Sequence, residues 1–197
     1  TARLLWLAEG LKFEISGVEN VPKSGPGVVA LNHTGYMDFT YAGIPAYLQG
    51  KRYVRFMAKK EVFDNKVSGP IMRALKHIPV DRANGADSYH QAVEYLKQGE
   101  LVGVYPEATI SRSFELKDFK NGAARMALKS GAPLLPTVIW GAQRVWTKGY
   151  PKQLGRTGYK IMVGVAEPIE PVGDPETLTA QLHKSMSEKL LELQLSL

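Results

Sequence analysis

The stretch Gly27-Val28-Val29-Ala30-Leu31-Asn32-His33-Thr34-Gly35-Tyr36-Met37-Asp38 runs from an apolar segment straight into a cluster of polar side chains. A short, continuous apolar run rich in valine predicts a strand covered on both faces, as in a largely parallel sheet. Asn32 ends the run and His33 leaves it, and Asp38 follows five residues later. On one uninterrupted helix that spacing would turn the two side chains apart. A strand-to-helix corner brings them together instead: with Asp38 in the first turns of the next helix, His33 folds back onto the carboxylate. A neutral imidazole can then take a proton from a hydroxyl while the carboxylate fixes its tautomer and stabilises the imidazolium. This is the base half of a Ser-His-Asp triad without the serine, which assigns the nucleophile to the substrate. The competing reading is a histidine that merely caps the end of a strand.

Outward from this corner, short runs rich in Val and Ile alternate with segments of helical period. That alternation predicts an α/β fold, a single domain with a largely parallel or mixed central sheet flanked by helices. Strands are expected near Lys12–Ser16, Gly27–Asn32, Arg52–Ala58, His77–Val80, Leu101–Tyr105, Leu134–Ile139 and Lys160–Ala166. Helices are expected over Ala86–Gln98 and Gly122–Ser130, each closed by a left-handed glycine, Gly99 and Gly131. A last helix is capped by Asp174 and Pro175 and carries the stripe Leu178, Leu182, Met186, Leu190 and Leu193. There is no internal repeat and no linker long enough to divide the domain.

The chain has 197 residues, enough for one domain with a sizeable core. It has no cysteine, which excludes disulfides, thiolate metal sites and a cysteine nucleophile. His77, His90 and His183 have no ligand-spaced partner, and no P-loop or Gly-x-Gly-x-x-Gly is present, so neither a metal nor a permanently bound cofactor is expected. The net charge of +6 favours an anionic partner: phosphate, a coenzyme, an anionic membrane surface or nucleic acid. Nucleic acid is disfavoured because no recognition motif or interleaved aromatic and basic platform is present. No apolar run is long enough to span a bilayer. Residues 1–11, with Arg3, Leu4, Leu5, Trp6, Leu7 and Leu11, form a candidate interfacial segment ahead of a domain spanning 12–197; packing of these residues on the domain is the alternative.

Three further motifs fall where strands are expected to end, the edge at which an open α/β sheet gathers its ligand. Ile78-Pro79-Val80-Asp81-Arg82 delivers an arginine, whose planar fork suits phosphate. Val104-Tyr105-Pro106-Glu107-Ala108-Thr109 delivers a glutamate and a threonine, with Ser111, Arg112 and Ser113 behind them. Ala132-Pro133-Leu134-Leu135-Pro136-Thr137-Val138 is an apolar strand interrupted by proline. Taken singly, each has a plain structural explanation: a surface ion pair, a helix cap, an edge strand. Lys59 and Lys60 end another strand, where they either meet phosphate or are simply solvated.

In this order the blocks resemble the glycerolipid acyltransferase family, whose best-known members acylate glycerol 3-phosphate or lysophosphatidic acid. Asn32, His33 and Asp38 match the Asn-His-x4-Asp block, and Ile78 through Arg82 the block ending in Asp-Arg. Tyr105, Pro106, Glu107, Thr109 and Ser111 match Phe-Pro-Glu-Gly-Thr-Arg-Ser, and Pro133 through Val138 the proline-containing strand. Gly17 to Pro22 resembles the family's lead-in to the first block. Ala108 stands where the family has Gly, and Ile110 where it has Arg, so a phosphate-binding cation is displaced.

The resemblance implies transfer of a fatty acyl group from acyl-CoA or acyl-ACP to an alcohol, with His33 as general base and Asp38 as its orienter. No acyl-enzyme is implied, in keeping with the lack of cysteine and of a Gly-x-Ser-x-Gly elbow. It also implies acceptor recognition by Arg82, by Glu107 and Thr109, and by Arg112 or Lys120 as the replacement cation, with Lys59 and Lys60 toward acceptor or coenzyme phosphates. The implied acceptor is a lysophospholipid, first of all lysophosphatidic acid; glycerol 3-phosphate, other lysophospholipids and glycolipids are alternatives. Such an enzyme is expected to be peripheral or monotopic, on the cytoplasmic face of a membrane. A non-catalytic lipid or acyl-coenzyme binder would keep the fold but has no need of a base.

Overall fold

The computed structural model describes residues 2–81, 83–111 and 115–196. Arg82 and Arg112, two of the expected phosphate ligands, lie outside the described residues. In chain order the elements are α1 (Ala2–Glu9), β1 (Lys12–Ser16), β2 (Gly27–Leu31), α2 (Asp38–Ala42), α3 (Ile44–Gly50), β3 (Val54–Lys59), α4 (Lys60–Asp64), α5 (Ser68–Ala74), β4 (Ile78–Val80), α6 (Gly85–Lys97), β5 (Leu101–Val104), α7 (Gly122–Ser130), β6 (Leu134–Trp140), β7 (Lys160–Val165) and α8 (Pro175–Leu195).

All seven expected strands form, in one sheet ordered β1-β7-β6-β2-β5-β3-β4. Neighbours are parallel except β6 and β7, so β7 and its parallel partner β1 run against the other five and the sheet is mixed. Every residue of β2 is buried. Its alternation serves two cores: Val28 and Ala30 pack with α6, α7 and α8, whereas Val29 and Leu31 pack on the opposite face with Tyr41, Ala42 and Ala46 from α2 and α3. The expected stripe of α8 enters the first of these cores, with Leu178, Leu182, Met186, Leu190 and Leu193 all buried. Asp174 caps that helix by accepting the Thr177 N–H at 2.8 Å. Gly99 and Gly131 take the left-handed conformation expected of helix ends, at φ 82° and 71°.

Two local differences have clear causes. β3 starts at Val54 instead of Arg52, because the Arg52 N–H bonds the Ala46 carbonyl and its guanidinium gathers the carbonyls of Pro22, Gly25 and Gly99 at 2.9, 2.6 and 2.6 Å. β6 is an inner strand despite Pro136. The Pro136 carbonyl accepts from Ala166, the residue just past β7, so the proline nitrogen of the same residue faces a side where the ladder has ended.

α1 divides the N-terminal stretch. Trp6 turns inward, with ring centroids 5.0 Å from Phe13 and 5.9 Å from Tyr41, and Leu11 is packed on the same core. Leu4, Leu5 and Leu7 face outward. Among the described residues no helix is long and apolar enough to cross a membrane.

Candidate active site

Five strands point their carboxyl ends to one edge of the sheet, and the chain leaving β2 turns there into α2. Asn32 makes this turn possible. Its carboxamide donates to the Ile139 carbonyl at 3.0 Å and accepts the Ile139 N–H at 2.8 Å, doing for β6 what the next peptide of β2 would have done. Asparagine suits this place because its side chain carries a donor and an acceptor together.

Asp38 is the first residue of α2, and its side chain is fully buried. One carboxylate oxygen, Oδ2, accepts the N–H groups of Thr34 and Gly35 at 2.7 and 2.8 Å and lies 3.1 Å from His33 Nδ1. A buried carboxylate is costly unless so satisfied. Because a carboxylate only accepts, Nδ1 carries the hydrogen and the lone pair resides on Nε2. The His33 side chain remains 21% exposed, so the imidazole reaches solvent while the carboxylate does not. Gly35 is required by close approach: a Cβ there would lie 2.8 Å from the Trp146 carbonyl oxygen.

The third block holds the same histidine by its main chain. Glu107 Oε1 accepts the His33 N–H at 2.8 Å, and the Ser111 N–H donates to the His33 carbonyl at 2.7 Å. Oε2 of Glu107 accepts the Lys117 N–H at 3.1 Å. Glu107 is thus buried and bonded through both oxygens, and its burial outweighs these bonds and raises its pKa. Tyr105 lays its ring on the imidazole at 4.1 Å, and burial, with the nearby Asp38 charge, keeps its phenol protonated well above the usual range. Ala108, in the glycine position of the family block, takes φ 56° and closes a tight turn by donating to the Tyr105 carbonyl at 3.0 Å.

The remaining candidates are less confined. Lys59 pairs with Glu61 at 3.3 Å and Lys60 with Asp81 at 3.4 Å, both in solvent. Lys120 uses its N–H to hold the Pro106 carbonyl at 2.9 Å, and its side chain is exposed. Thr109 is exposed, and its hydroxyl receives a hydrogen bond from a residue that sequence reasoning missed: Lys117, whose Nζ lies 3.2 Å from Thr109 Oγ1 and 3.0 Å from the Ile110 carbonyl. An ammonium group therefore lies against the main chain of Ile110, the residue that stands where the family motif has its arginine. Lys117 follows in an irregular segment, so no periodicity marks it; the only signal was a lysine close behind a motif that lacks its cation. Among the described residues no cluster of three His, Asp or Glu side chains could hold a metal ion.

Comparison with known proteins bears on the family and the fold. The Acyltransferase family model matches residues 12–140. A 1-acyl-sn-glycerol-3-phosphate acyltransferase of Bacillus subtilis (strain 168) is 33% identical over 167 residues, covering 84% of this chain and 77% of the relative. One from Borreliella burgdorferi is 25% identical over 196 residues, covering 94% and 74%. The crystal structure of the 1-acyl-sn-glycerophosphate (LPA) acyltransferase PlsC from Thermotoga maritima superposes with a TM-score of 0.79 at 28% identity, over 98% of this chain and 76% of that one. With the ordered blocks, the shared fold and the matched family model in agreement, the chain belongs to the acyltransferase family and is an O-acyltransferase.

Proposed function

We propose that this enzyme transfers a fatty acyl group from acyl-CoA or acyl-ACP to the free hydroxyl of lysophosphatidic acid, giving phosphatidic acid. The observation that carries the reading is the His33–Asp38 pair, 3.1 Å apart with the carboxylate buried and the imidazole open on its other side. His33 Nε2 takes the proton of the acceptor hydroxyl as its oxygen attacks the thioester carbonyl. The C–S bond then breaks, and the proton passes from the imidazolium to the departing sulfur. General base catalysis of this kind contributes about 10²–10⁴-fold.

Acceptor recognition divides between a buried carboxylate and a set of cations. Glu107 acts by tying the main chain at the base to the main chain at Lys117. Lys117 supplies the phosphate-binding cation displaced at Ile110, with its ammonium oriented by Thr109; Arg82 and Arg112 are further phosphate ligands of this reading, and the exposed Lys59, Lys60 and Lys120 add positive charge. The outward leucines of α1 rest on the cytoplasmic face of a membrane, which makes the enzyme peripheral or monotopic. The relatives named as acyltransferases of 1-acyl-sn-glycerol 3-phosphate support this choice of acceptor over glycerol 3-phosphate, other lysophospholipids and glycolipids.

The test is incubation with a labelled acyl thioester, as coenzyme A or carrier-protein ester, and a panel of acceptors, with products identified by mass. Phosphatidic acid from lysophosphatidic acid supports the reading; thioester loss with no acylated acceptor replaces it with hydrolysis. In the same assay Lys117→Ala is expected to raise the acceptor KM about tenfold and leave the donor KM unchanged, as loss of a charge-assisted contact made in the ground state requires. An equal rise for both substrates would move Lys117 out of the acceptor site.

A further inference from the structure

Beyond the residues matched by the family model, the connection from β6 to β7 has a composition of its own. From 141 to 159 it contains Arg144, Lys148, Lys152 and Arg156, spaced by four, with Trp146 and Tyr150 between them, Tyr159 after them and no acidic residue. It is bound to the corner that carries the base: the Tyr36 N–H donates to the Trp146 carbonyl at 3.0 Å and the Thr147 hydroxyl to the Thr34 carbonyl at 2.6 Å. On its outer side the Tyr36 and Trp146 rings lie 4.9 Å apart, and the Lys152 ammonium stands 4.2 Å over the Trp146 ring. Tyr36, Tyr150 and Leu154 are exposed, at 43%, 67% and 44%. The far end of the connection joins α1, because Thr157 and Gly158 donate their N–H groups to the Glu9 carbonyl at 2.9 and 3.2 Å.

From this we infer that the 141–158 connection is a second lipid-contacting element, which seats the His33 corner against an anionic bilayer surface. Trp and Tyr are amphipathic side chains suited to the headgroup layer, and each lysine or arginine near an anionic surface adds attraction. Cations alone would serve an acidic protein equally well. The exposed aromatic and leucine side chains, on a connection hydrogen-bonded to the end of the helix that bears the outward leucines, match a surface that is anionic above and apolar beneath. Because the element is hydrogen-bonded to residues 34 and 36, its depth sets the depth of the base. The inference rests on the reading that the acceptor is a bilayer lipid.

The experiment compares sedimentation of the full chain and two variants with vesicles of phosphatidylcholine alone and of phosphatidylcholine mixed with phosphatidylglycerol. The wild type is expected to prefer the mixed vesicles, and Lys148→Glu with Lys152→Glu to weaken that binding about 30-fold. Tyr150→Ala with Leu154→Ala removes only exposed side chains and is expected to weaken binding to both kinds of vesicle, with the loss persisting at high salt. Turnover of a short-chain lysophosphatidic acid kept below its micelle concentration is expected to match wild type in both variants, which separates docking from chemistry. If the wild type fails to acylate that acceptor, the proposed reaction falls while the binding result is unaffected. The inference is overturned if the wild type shows no preference for anionic vesicles, if both variants bind them as wild type does, or if charge reversal impairs use of acyl-ACP and leaves vesicle binding intact.

Discussion

His33 and His77 both occupy aromatic surroundings and differ in what faces their ring nitrogens. His33 has Tyr105 against its face at 4.1 Å and a buried carboxylate on Nδ1. His77 packs edge-on to Phe39 and Phe56 at 5.8 and 5.7 Å, and its Nδ1 accepts the Phe56 N–H at 3.0 Å. An acceptor on Nδ1 fixes the neutral ring with its hydrogen on Nε2, and that atom is buried with no hydrogen-bond partner among the described residues. Burial, with the Arg55 charge nearby, lowers the His77 pKa to about 4. The two rings are thus distinguished by what faces Nδ1: a carboxylate takes the hydrogen of that nitrogen and leaves the lone pair on Nε2, whereas a peptide N–H occupies the lone pair and leaves the hydrogen on a buried Nε2.

The sharpest way to break this contrast is to remove each ring in turn. His33→Ala is expected to lower kcat about 10²–10⁴-fold and leave the urea midpoint unchanged. Near-normal turnover in a folded variant would dismiss His33 as the base. For His77 the expected effect is on stability. Its folded pKa lies below its unfolded value, so the unfolded chain binds the proton first as pH falls. Stability is full above about pH 6.5 and declines toward pH 4, by up to about 3 kcal/mol. Urea unfolding at a series of pH values measures this slope, and His77→Gln should flatten it; an unchanged slope would locate the acid sensitivity elsewhere.

Glu107 ties the His33 main chain to that of Lys117. Glu107→Gln keeps the size but leaves a single acceptor oxygen for the His33 and Lys117 N–H groups. A fall in kcat of about 10–100-fold is expected, corresponding to one unsatisfied buried group, with a smaller change in KM. A change confined to acceptor KM would assign Glu107 to the substrate instead. The smallest expected effect is at Ala108. Glycine tolerates its left-handed φ of 56°, so Ala108→Gly should relieve about 1 kcal/mol of strain, offset in part by glycine's larger unfolded-state entropy. Chemical denaturation should show a small gain or none, and a loss would mean that the turn depends on the methyl group.

What could be read in advance followed pattern. The seven strands announced themselves as apolar runs, and the glycines at 99 and 131 marked helix ends, because burial and left-handed backbone leave residue-level traces. Asp38 was expected in the first turns of a helix and is its first residue. The short helices α3, α4 and α5 were not anticipated, since pieces of five to seven residues interrupted by Pro45, Gly69 and Pro70 show no period. Nor was the antiparallel β7, as strand direction depends on connections and not on strand composition. At the site, types and spacing exposed the side-chain chemistry of His33 and Asp38. The clamps made by Asn32 to Ile139 and by Glu107 to Lys117 stayed hidden because one partner in each is a peptide group, which every residue has.

The edge pairing of β1 with β7 has a consequence for the order in which the protein is made. β1 has no other strand beside it, and the turn after it is held by Asn20 on the Val165 carbonyl, 145 residues along the chain. During synthesis these early residues emerge long before their partner exists. α1 and β1 are therefore translated well before β7, and the Asn20 clamp that completes their seat closes only once Val165 has been made.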